Sequence, residues 1–349
     1  MSTPLPNIRH LSVPELEEYF RSIDEKKFRV KQVHEWIWQK HAHSFDEMSN
    51  LSKDLRAKLA NNFSFPALRV DATQHSDDGT IKSRFKTFDN HMIEGVLIPT
   101  DERKTACVSS QIGCSLSCKF CATGYMDRKR NLTYDEIYDQ VVLINQQSEK
   151  TFQKKLTNIV FMGMGEPLMN YSNVMRAIER ITAEDGLFMS PKRITVSTAG
   201  VAKQIRMLGD DKVKFKLALS LHAPTDEKRD KIMPINESNN IKVLIDALNH
   251  FYKMTGNEIT LEYILFKDLN DSEKDAQDLT RIYRQVPADL INIIEYNPID
   301  AFRFAKPTEE GIQSFMGILE TNKVNARLRR SRGKDIDAAC GQLANKEKN

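Results

Sequence analysis

Apolar positions in the first part of the chain recur at helical spacing. Between about residues 11 and 63, Val30, Val33 and Ile37 fall three and four apart, with His34 in the same stripe and Trp36 and Trp38 flanking it. Ser12, followed by Pro14 and by Glu15 three positions on, predicts a capped helix start: the serine oxygen takes the Glu15 amide and the carboxylate returns to the serine amide. Residues 1–65 therefore read as a small helical accessory domain. Over residues 66–99 the period shortens to two. Alternating segments at 81–88 and 91–98, set apart by Asp77-Asp78-Gly79 and Asp89-Asn90, predict a small antiparallel β segment.

Beyond residue 100 apolar runs of strand length, at 105–109, 156–162, 193–197, 215–221, 259–266 and 290–296, alternate with helical patterns. Those patterns lie at 134–147, 171–183, 201–208, 242–254 and 273–286. Continuous apolar strands joined by helical crossovers form a parallel sheet covered by helices. Six units are too few for a closed eight-fold barrel, so residues 100–306 read as an α/β fold, a partial (β/α)6 barrel. Residues 307–349 add a helix near 308–322, a basic strand near 324–330 and a short tail through Cys340, which Gly333 and Gly341 make flexible.

Composition narrows the options. With 349 residues, 40% of them apolar, the chain buries a full core. A net charge of +3 permits a nucleic-acid partner without the strong basic footprint of a dedicated binder. Arg29, Lys31 and Lys40 in the helical segment fit either an RNA-facing surface or a solvated helix face. The opening MSTPLPNIRHLSVPELEEYF lacks an apolar signal core, and no run approaches the ~20 apolar residues of a membrane span, so the expected setting is cytoplasmic, with no membrane partner.

Five cysteines, three of them within eight residues, make a poor disulfide framework and a good ligand cluster. Cys114, Cys118 and Cys121, with Phe120 before the last, follow the first barrel strand, where side chains converge on the open end of a parallel sheet. Three thiolates hold three irons of a 4Fe-4S cubane and leave the fourth open, whereas an electron-carrying cluster normally has four protein ligands. The open iron suits chelation of S-adenosylmethionine (SAM) and its cleavage to a 5'-deoxyadenosyl radical. The competing reading, a structural zinc site, needs a fourth ligand such as Cys107.

The strand at 156–162 runs into Gly163-Met164-Gly165-Glu166-Pro167, a tight turn that exposes backbone groups to a ligand, with Glu166 placed for the cationic amino group of SAM. Ser197, then Ser220, Leu221 and His222, then Asn297 end later strands at the same mouth. Taken singly each is an ordinary cap or turn residue.

In this order, Cys107-Val-Ser-Ser-Gln-Ile-Gly-Cys114, Gly163-Met-Gly-Glu-Pro-Leu168, Ser220-Leu-His-Ala-Pro224 and Asp335-Ile-Asp-Ala-Ala-Cys-Gly-Gln-Leu343 make the chain resemble the RlmN family. That family comprises radical SAM methyltransferases acting on adenine C2 of 23S ribosomal RNA and transfer RNA. A sister family methylates C8 of the same ribosomal adenine and tends to carry Ala where this chain has Pro167, which favours C2. The segment from Tyr125 to Arg130 departs from the family's glycine-containing form.

The resemblance implies a mechanism. Adenine C2 has no nucleophilic electron pair, so Cys340 first takes a methyl from one SAM. A radical from a second SAM then makes the S-methyl carbon attack C2, Cys107 releases the adduct by forming a disulfide with Cys340, and Glu94 serves as the base. It also implies an electron donor such as flavodoxin or ferredoxin, and a monomer. Arg128, Lys129, Arg130, Arg327, Arg329, Arg330, Arg332 and Lys334 are the expected phosphate contacts. A radical SAM enzyme acting on a small molecule, with Cys107 and Cys340 structural, is the other reading.

Overall fold

The computed structural model describes residues 5–302 and 304–346. The extreme ends of the first and last sequence segments, residues 1–4 and 347–349, lie outside them.

Three helices open the chain, α1 (Val13–Ser22), α2 (Phe28–Trp38) and α3 (Lys53–Asn62). The predicted capping box is formed: Ser12 Oγ accepts from the Glu15 amide and the Glu15 carboxylate accepts from the Ser12 amide. Val30, Val33, Ile37 and Trp38 are buried. Arg29 is spent on Gln32 and the Asn50 carbonyl, and Lys40 lies 4.2 Å over the Trp36 ring. The domain is anchored by Arg9, buried between Asp135 and Asp139 and donating to both Asp139 oxygens at 2.8 and 2.6 Å. Removing either side of such a pair strands a buried charge, so the docking is held by complementarity and not by apolar area alone.

One ten-stranded sheet follows. The strands β1 (Arg69–His75), β2 (Ile81–Lys86), β3 (Met92–Pro99) and β4 (Lys104–Cys107) pair antiparallel in sequence order. The sheet then continues without a break through parallel strands. A two-stranded ladder of β5 (Gln111–Ile112) and β6 (Arg130–Asn131) frames the loop after β4. β4 pairs with β7 (Asn158–Phe161), then come β8 (Ile194–Thr198), β9 (Lys216–Ser220), β10 (Ile259–Leu265) and β11 (Leu290–Glu295). These are the six expected barrel strands. β12 (Ala326–Arg329) adds a seventh parallel strand beside β11. Its Arg-Leu-Arg pattern does not read as a barrel strand because only Leu328 on that stretch faces the apolar side, while the arginines face the open interior.

The crossover helices are α4 (Tyr134–Phe152), α5 (Tyr171–Thr182), α6 (Ala202–Asp210), α7 (Asp226–Ile232), α8 (Ile241–Thr255), α9 (Glu273–Gln285) and α10 (Glu309–Thr321). Their apolar stripes, such as Val174, Ile178 and Ile181 of α5, join the core with one face of the sheet, represented by Ile159, Val196 and Leu217. The other face alternates to polar residues, Cys107, Ser197, Ser220, Glu262 and Asn292 among them, so the concave side is built for chemistry and the convex side for stability. No helix of the described residues is long and apolar enough to cross a membrane.

Candidate active site

The loop after β4 carries Cys114, Cys118 and Cys121. It is pinned into a second apolar cluster at the strand ends, where Cys118 and Phe120 pack with Ala199, Ile264, Phe266, Ile294 and Tyr296. Phe120 meets His222 edge to face at 4.8 Å and Phe266 at 5.9 Å. The three thiols feel one another: burial raises each, pushing Cys114 up to about 11, and the neighbouring sulfurs add to the rise at Cys114 and Cys118. Among the described residues no three His, Cys, Asp or Glu side chains are grouped so as to hold a single metal ion. A cubane presents a separate iron to each thiolate and asks only that the sulfurs surround a common space. The three cysteines fit that group, and the mutual field drops once each thiolate is bound to iron.

Beside this loop, β7 turns into Gly163-Met164-Gly165-Glu166. Gly165 adopts φ +92°, and a Cβ there would lie 2.5 Å from Gln111 Cβ; one on Gly163 would lie 2.7 Å from the Val108 carbonyl oxygen. Only glycine lets this turn close against the strand that precedes the cysteines. Glu166 is buried, its two oxygens accepting from the Leu168 amide at 3.0 Å and the Ala199 amide at 2.8 Å. Burial nonetheless raises its carboxyl to about 6. A cationic ligand at this oxygen pair would recover the lost solvation.

His222 is buried with φ +57°, and its Nδ1 accepts from the Ile264 amide at 3.1 Å, which places the proton on Nε2. Burial, with the Arg229 charge, depresses it to about 3, so the ring is neutral. Ser197 and Asn297 are buried and Ser220 half-buried at neighbouring strand ends, with Leu221 packed beneath. Arg229 was missed by the sequence reading. It is fully buried on α7 and donates to the carbonyls of Ala199 at 2.6 Å, Leu221 at 3.1 Å and Ser220 at 3.3 Å, tying the strand ends together. Nothing in the charged stretch from Asp226 to Lys231 separates it from a solvated helix face.

The remaining two cysteines lie near each other, Cys340 close enough to act on the Cys107 thiol. Cys107 ends β4, buried; Cys340 lies on the tail, where the residue keeps solvent-accessible surface although protein atoms crowd its thiol. Burial pushes Cys107 up to about 12, and Cys340 adds to that rise. The thiol of Cys340 is surrounded deeply enough that burial raises it to about 11, with Cys121 adding and Arg329 opposing. Both are thiols at neutral pH.

The tail is pinned, not free as its glycines suggest. Ala122 donates to the Gly341 carbonyl at 2.7 Å, Thr123 to the Leu343 carbonyl at 2.6 Å, and Asn297 to the Cys340 carbonyl at 3.2 Å. Glu94, buried on β3, accepts the amides of Ala344 and Asn345 at 2.9 and 3.1 Å and pairs with buried Lys82 at 3.4 Å.

The basic residues of the rim are largely engaged. Arg130 binds Asp89 and Glu136, Arg330 binds Glu309, Arg332 faces Asp78, Lys334 binds Glu295, and Lys129 sits 3.6 Å from Asp127. Arg130, half-buried between two carboxylates, holds the cysteine loop to the β2–β3 turn and is unsuited to phosphate.

Comparison with known proteins decides the family. Residues 6–64 match the model of the ribosomal RNA large subunit methyltransferase N-terminal domain, and residues 108–280 match the radical SAM superfamily. The "Probable dual-specificity RNA methyltransferase RlmN" of Cytophaga hutchinsonii is 56% identical over 340 residues, covering 97% of this chain and 93% of that one. The chain belongs to the RlmN family. The "Dual-specificity RNA methyltransferase RlmN 2" of Myxococcus xanthus is 43% identical, covering 98% of this chain and 91% of that one. A crystal structure of a radical SAM methyltransferase from Sphaerobacter thermophilus superposes with a TM-score of 0.91 at 40% identity, covering 97% of this chain and 99% of that one. RlmN membership makes this an enzyme and places the three-cysteine loop and the Gly-Met-Gly-Glu turn within a radical SAM barrel.

Proposed function

We propose that this enzyme methylates C2 of adenosine 2503 in 23S ribosomal RNA and of adenosine 37 in transfer RNA, through a methyl carried on Cys340. The observation that carries the reading is the nearness of two further thiols to the three-cysteine loop: Cys340 is close enough to act on Cys107, and Cys121 to act on Cys340.

A 4Fe-4S cluster on Cys114, Cys118 and Cys121, with SAM at its open iron, supplies a 5'-deoxyadenosyl radical when bound. Glu166 receives the SAM amino group, while Ser197, Ser220, Leu221, His222 and Asn297 line its pocket. Cys340, once deprotonated, takes a methyl by displacement, so two SAM molecules are used per turnover. The apolar packing of Phe120, Phe266 and Tyr296 keeps water from the reacting carbon. Cys107 is fixed in a strand and would attack the Cys340 sulfur, breaking its bond to the transferred carbon and leaving a disulfide for a dithiol reductant, while a flavodoxin- or ferredoxin-like donor would supply the electron that SAM cleavage consumes. Glu94 takes the C2 proton after the tail amides leave its carboxylate. The enzyme works as a cytoplasmic monomer.

The test is the purified, cluster-loaded protein with a 23S rRNA fragment and a tRNA, read by mass spectrometry of nucleosides. Formation of 2-methyladenosine is expected. Formation of 8-methyladenosine transfers the chain to the sister chemistry, and no methylated adenosine rejects the reading.

A further inference from the structure

The concave wall of the barrel holds an ion pair that none of the steps above uses. Glu262 sits mid-strand on β10, in register with Ser220 of β9 and Asn292 of β11, and is only 3% exposed. One carboxylate oxygen is satisfied, accepting from Thr260 Oγ at 2.9 Å and Asn292 Nδ2 at 2.7 Å. The other, Oε2, is buried with no hydrogen-bond partner, and its nearest charge is Arg329 Nη1 at 3.5 Å. A buried carboxylate oxygen left in that state costs free energy unless a ligand donor completes it.

Its position identifies the donor. Glu262 lies on the concave wall in register with Ser220 and Asn292, and with Arg329 it is near enough to act on the Cys340 thiol, so the pair borders the space around that sulfur. That is where the C2 carbon of the target base must lie. C2 is flanked by N1, and the next group along that edge is the 6-amino group, an N–H donor in adenine and a carbonyl acceptor in guanine or hypoxanthine. Arg329 is about half exposed, and its guanidinium keeps donors beyond the one facing Glu262.

Resting on the proposed function, we infer that Glu262, held by Thr260, Asn292 and Arg329, reads the 6-amino group of the flipped adenine and so determines base specificity. A carbonyl oxygen at this point would meet a carboxylate lone pair in a buried site, and a bare C–H would leave Oε2 unpartnered, so both analogues are rejected.

The experiment uses the cluster-loaded enzyme and one RNA hairpin carrying adenosine, purine riboside or inosine at the target position; all three keep the C2 hydrogen. The wild-type protein should prefer adenosine to purine riboside by about ten- to a hundredfold in kcat/KM, and inosine should be poorer still. Glu262→Gln, whose amide can donate to a 6-carbonyl, should narrow the adenosine-to-inosine ratio by at least about tenfold. Glu262→Leu, the second variant, should make adenosine and purine riboside nearly equal. Wild-type ratios retained in the variants, or no preference in the wild-type protein, overturn the inference. So does a drop in SAM affinity by equilibrium dialysis with base ratios unchanged, because the carboxylate would then face the cofactor. Absence of any product on the adenosine hairpin with the wild-type protein instead overturns the proposed function itself.

Discussion

Cys340 lies close enough to Cys107 to raise its thiol, yet the two are held in opposite ways. Cys107 lies in β4, hydrogen-bonded into the sheet opposite Val160 of β7 and buried. Cys340 lies on a segment without strand or long helix, docked by separate polar contacts from β3, the cysteine loop and the loop after β11. A thiol in a sheet can only receive; a thiol on a strap can be carried to it. The difference suits one sulfur that is loaded, used and then resolved against a fixed partner.

The most severe way to break the comparison is to remove the carried thiol. Cys340→Ala should lower RNA methylation by at least about a thousandfold, as loss of a covalent nucleophile does, while iron content stays at the wild-type level. Retained turnover would mean the tail thiol is structural. Cys107→Ala should behave differently, leaving the loaded tail with no partner to release it. A protein–RNA adduct, visible as a nuclease-sensitive band on denaturing gels, is expected, and clean protein after turnover argues against the resolving role.

The next prediction tests the strap. Glu94→Gln leaves Lys82 buried without its counter-charge. Stranding one partner of a buried pair costs about 3–5 kcal/mol, and the low end, ~3 kcal/mol, applies because Lys82 also donates to the Asp337 carbonyl at 3.4 Å. The fixed thiol should be spared: amide exchange should rise over residues 335–346 and stay unchanged across β4. Equal protection in both regions would show that Glu94 does not hold the tail.

A smaller effect concerns the cofactor side of the mouth. Burial raises Glu166 to about 6, so its charge is lost as pH falls through that value. SAM binding that needs the carboxylate should weaken about tenfold between pH 7 and pH 5, and Glu166→Gln should bind weakly with a flat profile. A pH-independent wild-type affinity would remove Glu166 from the amino-group contact.

The two regions also differ in how far the chain alone revealed them. The barrel was legible because each strand and helix has its own apolar period, and the cysteine loop because its ligands are adjacent in sequence. Arg229 and Glu262 were not, since each becomes informative only when strands distant in sequence bring carbonyls or charges around it. β12 was placed as an appended basic strand because its interior-facing arginines hide the alternation. Gly333 and Gly341 suggested a loose tail; with φ +67° and +84° they instead make the bends by which it is fastened, and a Cβ on Gly341 would lie 2.9 Å from the Phe120 carbonyl oxygen.

The finest adjustment of the strap is a reciprocal fastening between two turns. Asp78 Oδ2 accepts from the Gly333 amide at 2.8 Å, and the Arg332 side chain donates to the Asp78 carbonyl at 2.5 Å. In return Asp335 accepts from Ser76 Oγ at 2.6 Å and from the Asp77 amide at 3.2 Å. Burial alone would raise Asp78, but hydrogen bonds from Thr80, Gly333 and Ser76 outweigh it and hold the carboxyl down to about 2. A carboxylate depressed in the folded state contributes stability above its unfolded value of 3.8, and that contribution disappears as pH falls through about 2. Because Asp78 is partly solvated, screening limits the gain to at most about 1 kcal/mol. Asp78→Asn should therefore raise amide exchange at Gly333 to Ile336 severalfold at pH 7, leave exchange at Ala344 and Asn345 near wild type, and remove the acid-dependent loosening of the wild-type turn. Equal loosening at both ends would mean the tail lets go as one unit, and Glu94 and Asp78 would then be parts of a single fastening instead of two that open in sequence.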